Sequence, residues 1–127
     1  MSWRGLIAPL TPQVQALIRY FLEDVPLEDI SLDQLLAAID ERLFQVWVYG
    51  DYEGVLVTEI ACRPLYTALL LRFGAGRFTR DWLRSGSALV IPWAKAHGCT
   101  RIEVAGRPGW GRLMGLKQLP PIYQGEI

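Results

Sequence analysis

The strand candidate Leu65 to Phe73, LYTALLLRF, is apolar at nearly every position as far as Leu71, and this run most limits what the chain can become. A strand with one wet face alternates apolar and polar residues. A strand apolar on both sides of the pleat needs cover on both faces. The run therefore predicts a central strand in a sheet that carries helices on either side. It leads directly into Gly74-Ala75-Gly76-Arg77 and then into a helical pattern that Thr79 can cap. Glycines at this junction suit a strand-to-helix turn with positive φ. They equally suit a cradle in which backbone amides and a helix N-terminus meet a phosphate.

The flanking segments fill in the architecture. Thr11-Pro12 reads as a helix start, followed by Val14, Leu17, Ile18, Phe21 and Leu22 at helical spacing. Ser31-Leu32-Asp33-Gln34 is a capping-box pattern, and Leu32, Leu35, Leu36, Ile39 and Leu43 form the stripe behind it. The period then changes to that of strands in FQVWVYG and GVLVTEIAC. Asp51-Tyr52-Glu53 between glycines joins the first pair of strands, and Arg63-Pro64 joins the second to the central run. This predicts an antiparallel meander. The helix from Thr79 towards Gly98 contains Gly86 and Pro92, so a kink or a break is expected. CTRIEVAG then reads as a strand reached by a β-α-β crossover, RPGWGRLMG as a short helix and LPPIYQGEI as a last strand. The predicted order is α-α-β-β-β-α-β-α-β, a mixed α/β sheet in a single domain spanning residues 1–127.

Composition narrows the functional classes. A chain of 127 residues that is 51% hydrophobic can bury one core. No apolar run approaches the ~20 residues of a membrane span, and MSWRGLIAPLTPQ lacks the pattern of a secretory signal. A cytoplasmic origin is expected. Cys62 and Cys99 have neither partners nor spacing for zinc and read as buried, reduced thiols at strand ends. The zero net charge conceals a division. Residues 1–60 hold ten acids and three bases, whereas residues 61–127 hold three acids and ten bases. Either the fold has an acidic and a basic face, or the two halves interleave. With zero net charge, nucleic acid is an unlikely partner.

The element order, together with VTEI at Val57 to Ile60, DWL at Asp81 to Leu83 and WAKAHGCTRIEVAGRPGW at Trp93 to Trp110, resembles the GNAT acyltransferase superfamily. Within it, the resemblance is closest to small GNAT-like proteins encoded by tailed bacteriophages. It covers roughly Leu32 to Tyr123, and it implies a GNAT-like fold whose first strand is short or missing in MSWRGLIA. It also implies that backbone amides after the central strand hold the pyrophosphate of acetyl-CoA or CoA. The cofactor-binding residues would be Gly74, Ala75 and Gly76, with Arg72 and Arg77 beside them. The arginine or glutamine usual in this motif falls on Leu71, with Arg72 displaced by one residue and hence on the other face of a regular strand.

Acetyl transfer to an amine needs a base and an acid. The resemblance makes Glu59 the candidate base and Tyr123, or less directly Tyr66, the candidate acid. His97, before Gly98, suits a helix C-terminus and reads as structural. Arg107, Trp110 and Arg112, with Arg101 and Lys117 nearby, form either an interaction surface or the anchor of a packed short helix. Two functional readings follow. One is a non-catalytic bacteriophage-type protein, a virion or assembly component that binds other phage structural proteins or copies of itself after synthesis in the host cytoplasm. The other is a CoA-dependent N-acyltransferase using the Gly74–Gly76 turn. Leu71 in the motif and a central strand without an acid favour the first.

Overall fold

The computed structural model describes residues 3–6, 11–23, 25, 27, 29–76 and 80–104. Among these, the elements are β1 (Trp3–Leu6), α1 (Pro12–Leu22), α2 (Leu32–Asp40), β2 (Phe44–Tyr49), β3 (Gly54–Cys62), β4 (Thr67–Gly76), α3 (Arg80–Ala96) and β5 (Arg101–Val104). The strands form one sheet in the order β1-β2-β3-β4-β5. The first four pair antiparallel, whereas β5 returns parallel to β4 through the α3 crossover. The mixed α/β architecture read from the sequence is the observed one.

Local signals set the helix ends. Thr11 Oγ1 accepts from Val14 N at 3.3 Å, and Pro12 occupies the first turn of α1. Ser31 and Gln34 form a reciprocal capping box at α2, with bonds of 2.9 and 3.1 Å. α2 ends in a Schellman motif: Arg42 is left-handed (φ 63°) and Leu43 N donates to Ala38 O at 2.9 Å. Gly98 (φ 84°) closes α3 in the same way, with Cys99 N donating to Ala94 O at 2.9 Å.

The two faces of the sheet carry two cores. Val14, Ile18, Leu22, Leu35, Leu36 and Ile39 pack against Phe44, Val46, Val55 and Val57 on one face. On the other, Trp47, Tyr49, Leu56, Leu69 and Leu71 meet Val90, Ala94 and Cys99. Period-two alternation along β2 and β3 sends neighbouring residues to opposite cores. Each fully buried aliphatic contributes about 1.5–3 kcal/mol, so Leu35→Ala, with its cavity, costs about 2–5 kcal/mol.

The first strand is short, as expected, and pairs with β2 across a register irregularity between Trp3 and Gly5. Several other expectations change. The central strand begins later than the apolar run, because Arg63 N donates to Tyr66 O at 2.8 Å and closes a turn that leaves Leu65 93% exposed. β4 then extends through Gly74, Ala75 and Gly76, which are paired strand residues rather than a loop. Leu43 lies beyond α2 and is exposed. α3 continues through Pro92 as one helix. Pro92 and Ala88, whose carbonyl it leaves without an intrahelical donor, are both exposed, so water can satisfy that carbonyl. The acidic and basic halves interleave where Arg72 meets Asp29. The expected short helix and last strand lie outside the described residues.

Candidate functional site

β4 carries an irregularity on its β3 side, at Arg72. On the β3 side, Val57 pairs with Phe73 and Thr58 with Leu71, so Arg72 is an extra residue, a β-bulge. On the β5 side, the register runs from Ala68↔Arg101 to Leu71↔Val104. Beyond Leu71, no described strand pairs with that edge of β4, which continues for five residues to Gly76. The bulge adjoins the last described pair of the parallel ladder, Leu71↔Val104. Backbone amides and carbonyls beyond it lie on an edge that no described strand covers.

Polar side chains meet on both faces of the sheet beside the bulge. On the α3 side, buried Thr58 accepts from Trp47 Nε1 at 3.0 Å and donates to Gln45 Oε1 at 2.9 Å. On the α1/α2 side, Arg72 Nη2 lies 2.8 and 3.0 Å from the two carboxylate oxygens of Asp29. Arg72 Nη1 is 4.0 Å from Glu59 Oε1. The guanidinium also lies over the rings of Phe44 and Phe73, at 5.5 and 5.4 Å. Arg72 therefore occupies the face opposite Leu71, as alternation requires, and the bulge keeps Phe73 on the same side as Arg72.

This face turns polar next to the bulge. Phe44, Glu59, Leu70 and Glu103 are cross-strand neighbours in one row. The two carboxylates flank Leu70 with their backbones about 10 Å apart, two strand spacings. Glu103 accepts from Arg63 Nη2 and from the Tyr66 hydroxyl, each at 3.1 Å. Arg101 stacks over the Tyr66 ring at 4.2 Å. Sequence reasoning passed over Glu103, although its place between Ile102 and Val104 sets it on the face opposite their apolar packing. Asp29 carries no such signal, since its partner lies 43 residues away.

The expected residues are placed unevenly. Gly74, Ala75 and Gly76 pair with Leu56, Val55 and Gly54. Gly76 has φ +140°, and a β-carbon there would lie 2.4 Å from both Glu53 O and Gly54 Cα. Tyr66 is bonded to Glu103. His97 follows α3, with Nδ1 2.8 Å from Trp93 O and its ring stacked on Trp93. Arg77, Arg107, Trp110, Arg112 and Tyr123 lie outside the described residues. Of the two thiols expected to be buried, Cys99 is buried and Cys62 is exposed, because β3 ends at Cys62 beside the turn. Burial, and secondarily the neighbouring Cys62, raises the Cys99 pKa.

No family model matches the chain, and no curated protein sequence matches it. Solved structures do. A probable acetyltransferase superposes with a TM-score of 0.69 at 12% identity, over 100% of this chain and 98% of that one. TTHA1254 from Thermus thermophilus gives 0.66 at 16% identity, over 100% and 97%. A Trypanosoma brucei acetyltransferase gives 0.58 at 12% identity, over 99% of both chains. The fold is that of the GNAT-type acetyltransferases. In this GNAT-type fold the bulge at Arg72 and the carboxylate row beside it form the candidate site.

Proposed function

We propose that the chain is a CoA-dependent N-acyltransferase. The observation that carries this reading is the β-bulge at Arg72, one residue beyond the last described pair of the parallel ladder, Leu71↔Val104. An extended, amide-bearing arm such as that of acetyl-CoA fits a strand edge that no described strand covers, because main-chain groups can pair with it as another strand would. A backbone N–H freed by the bulge can polarise the acyl carbonyl, a contribution of about 10²–10³-fold when such a donor is well placed. Arg77 directly follows β4 and is the proposed cation for the pyrophosphate. Gly74 and Gly76, as strand residues, shape the edge leading to it.

Glu59 is the proposed base, one cross-strand row from the Leu71 pair and 27% exposed, so it takes a proton directly or through water. As the amine nitrogen bonds to the acyl carbon, its proton passes to Glu59 and the carbon–sulfur bond breaks. The departing thiolate is protonated by the proposed acid, Tyr123.

A non-catalytic binding role is the second reading, favoured by β4 itself, TALLLRFGAG, which contains neither carboxylate nor histidine. Neighbours named as acetyltransferases support the acyltransferase over a virion component. Calorimetric titration with acetyl-CoA and free CoA at moderate salt tests the first reading. Saturable micromolar binding, weakened about tenfold or more by Arg77→Glu, supports it. No heat at millimolar ligand sinks it.

A further inference from the structure

We propose that Arg72 is a positioning residue that latches the segment between α1 and α2 onto the sheet over Glu59, and does not hold the coenzyme pyrophosphate. The inference rests on the acyltransferase reading only for the role of Glu59. Four observations carry it. The guanidinium lies on the α1/α2 face, bound to both carboxylate oxygens of Asp29 and close to Glu59. Its side chain is only 19% exposed and runs between the Phe44 and Phe73 rings, so its direction is set by packing as well as by charge. Asp29, in contrast, is 65% exposed and belongs to the connection between two helices. One well-anchored end and one exposed end make a latch.

The bulge provides the fourth observation. Arg72 is the extra residue of the β3–β4 ladder, so the distortion that inserts it also aims this side chain at Asp29. To take a pyrophosphate, Arg72 would have to leave two carboxylates and the two aromatic rings. Within its network, one cation serves two acids. A further anion would meet net negative charge, whereas an amine approaching Glu59 would be attracted. The latch therefore holds the α1–α2 connection beside the base and keeps the base paired.

Hydrogen exchange on the full-length protein without ligand tests the latch. In Arg72→Gln and in Asp29→Asn, amides of residues 23–31 should exchange about threefold to tenfold faster. Protection of β2 and β3 should persist, and Arg72→Lys should fall between wild type and Arg72→Gln. Among the reporters are Val25 N, bonded to Leu22 O, and Asp29 N, bonded to Leu27 O. Unchanged exchange in both variants overturns the proposal. So does a loss spread over the whole sheet in Arg72→Gln while Asp29→Asn resembles wild type.

A parallel acetyl-CoA titration separates the two roles. Arg72→Gln should keep affinity within about twofold and lower kcat without changing KM for acetyl-CoA. A roughly tenfold loss of affinity with unaltered exchange would assign Arg72 to the pyrophosphate. If wild type binds no acetyl-CoA, the acyltransferase reading falls, while the exchange result still decides the latch.

Discussion

Gly76 lies backbone against backbone on Glu53, so close that a β-carbon on Gly76 would fall 2.4 Å from the Glu53 carbonyl oxygen. The glycine is required by the β3–β4 pairing whether or not a phosphate binds nearby. Its φ of +140° adds strain for any other residue. Gly76→Ala should lower unfolding stability by about 2–4 kcal/mol, read from urea denaturation. A variant within about 0.5 kcal/mol of wild type would show that the strand end relaxes freely.

Thr58 and Trp47 join β3 to β2 on the α3 side of the sheet. Thr58→Val leaves the buried Trp47 N–H without its acceptor and Gln45 without its donor. The expected loss is about 1–3 kcal/mol. Adding Trp47→Phe to Thr58→Val should cost less than the two single changes summed, since the orphaned donor is gone. Additive losses in this double-mutant cycle would contradict the coupling.

The two carboxylates flanking Leu70 should separate by kinetics. Glu59→Gln removes the proposed base and should lower kcat by about 10²-fold or more, with acetyl-CoA affinity unchanged. Glu103→Gln keeps the shape and disturbs two partly exposed partners, Arg63 and Tyr66, so its stability cost should stay below about 1 kcal/mol. A larger kcat loss for Glu103→Gln than for Glu59→Gln would move the base to β5.

The thiols should differ in reactivity and in their link to pH. Cys62 is exposed, whereas Cys99 is 6% exposed and burial raises its thiol pKa above the ordinary value. A disulfide reagent at neutral pH should modify Cys62 about tenfold or more faster than Cys99. Because the folded-state pKa of Cys99 is the higher one, its contribution to stability is complete below the unfolded thiol value, near ~8.5, and disappears as pH rises through the folded value. The urea midpoint should fall over that range, and less so in Cys99→Ala. Equal labelling rates would mean that the α3 end opens readily.

Local rules wrote much of this fold into the chain. Thr11-Pro12, Ser31 with Gln34, and Gly98 marked helix ends because capping involves residues within a few positions of one another. Alternation separated the two cores for the same reason. The reading failed where a distant partner decided the matter. Leu65 extends the apolar run, yet the bond between Arg63 N and Tyr66 O puts it on the exposed corner of a turn. Gly74 and Gly76 read as a loop, but pairing with Leu56 and Gly54 keeps them in β4.

The candidate site was legible residue by residue and not as an arrangement. Glu59, Arg72 and the glycines were visible as residue types at suggestive spacings. Their relation to Asp29 and Glu103 depends on contacts spanning three strands and an interhelix connection. The order of elements and the caps came from the sequence itself, because they are settled by neighbours along the chain. The bulge at Arg72 and its ion pair with Asp29 were decided by tertiary structure, because strand register and ion pairing depend on residues that meet only once the chain has folded.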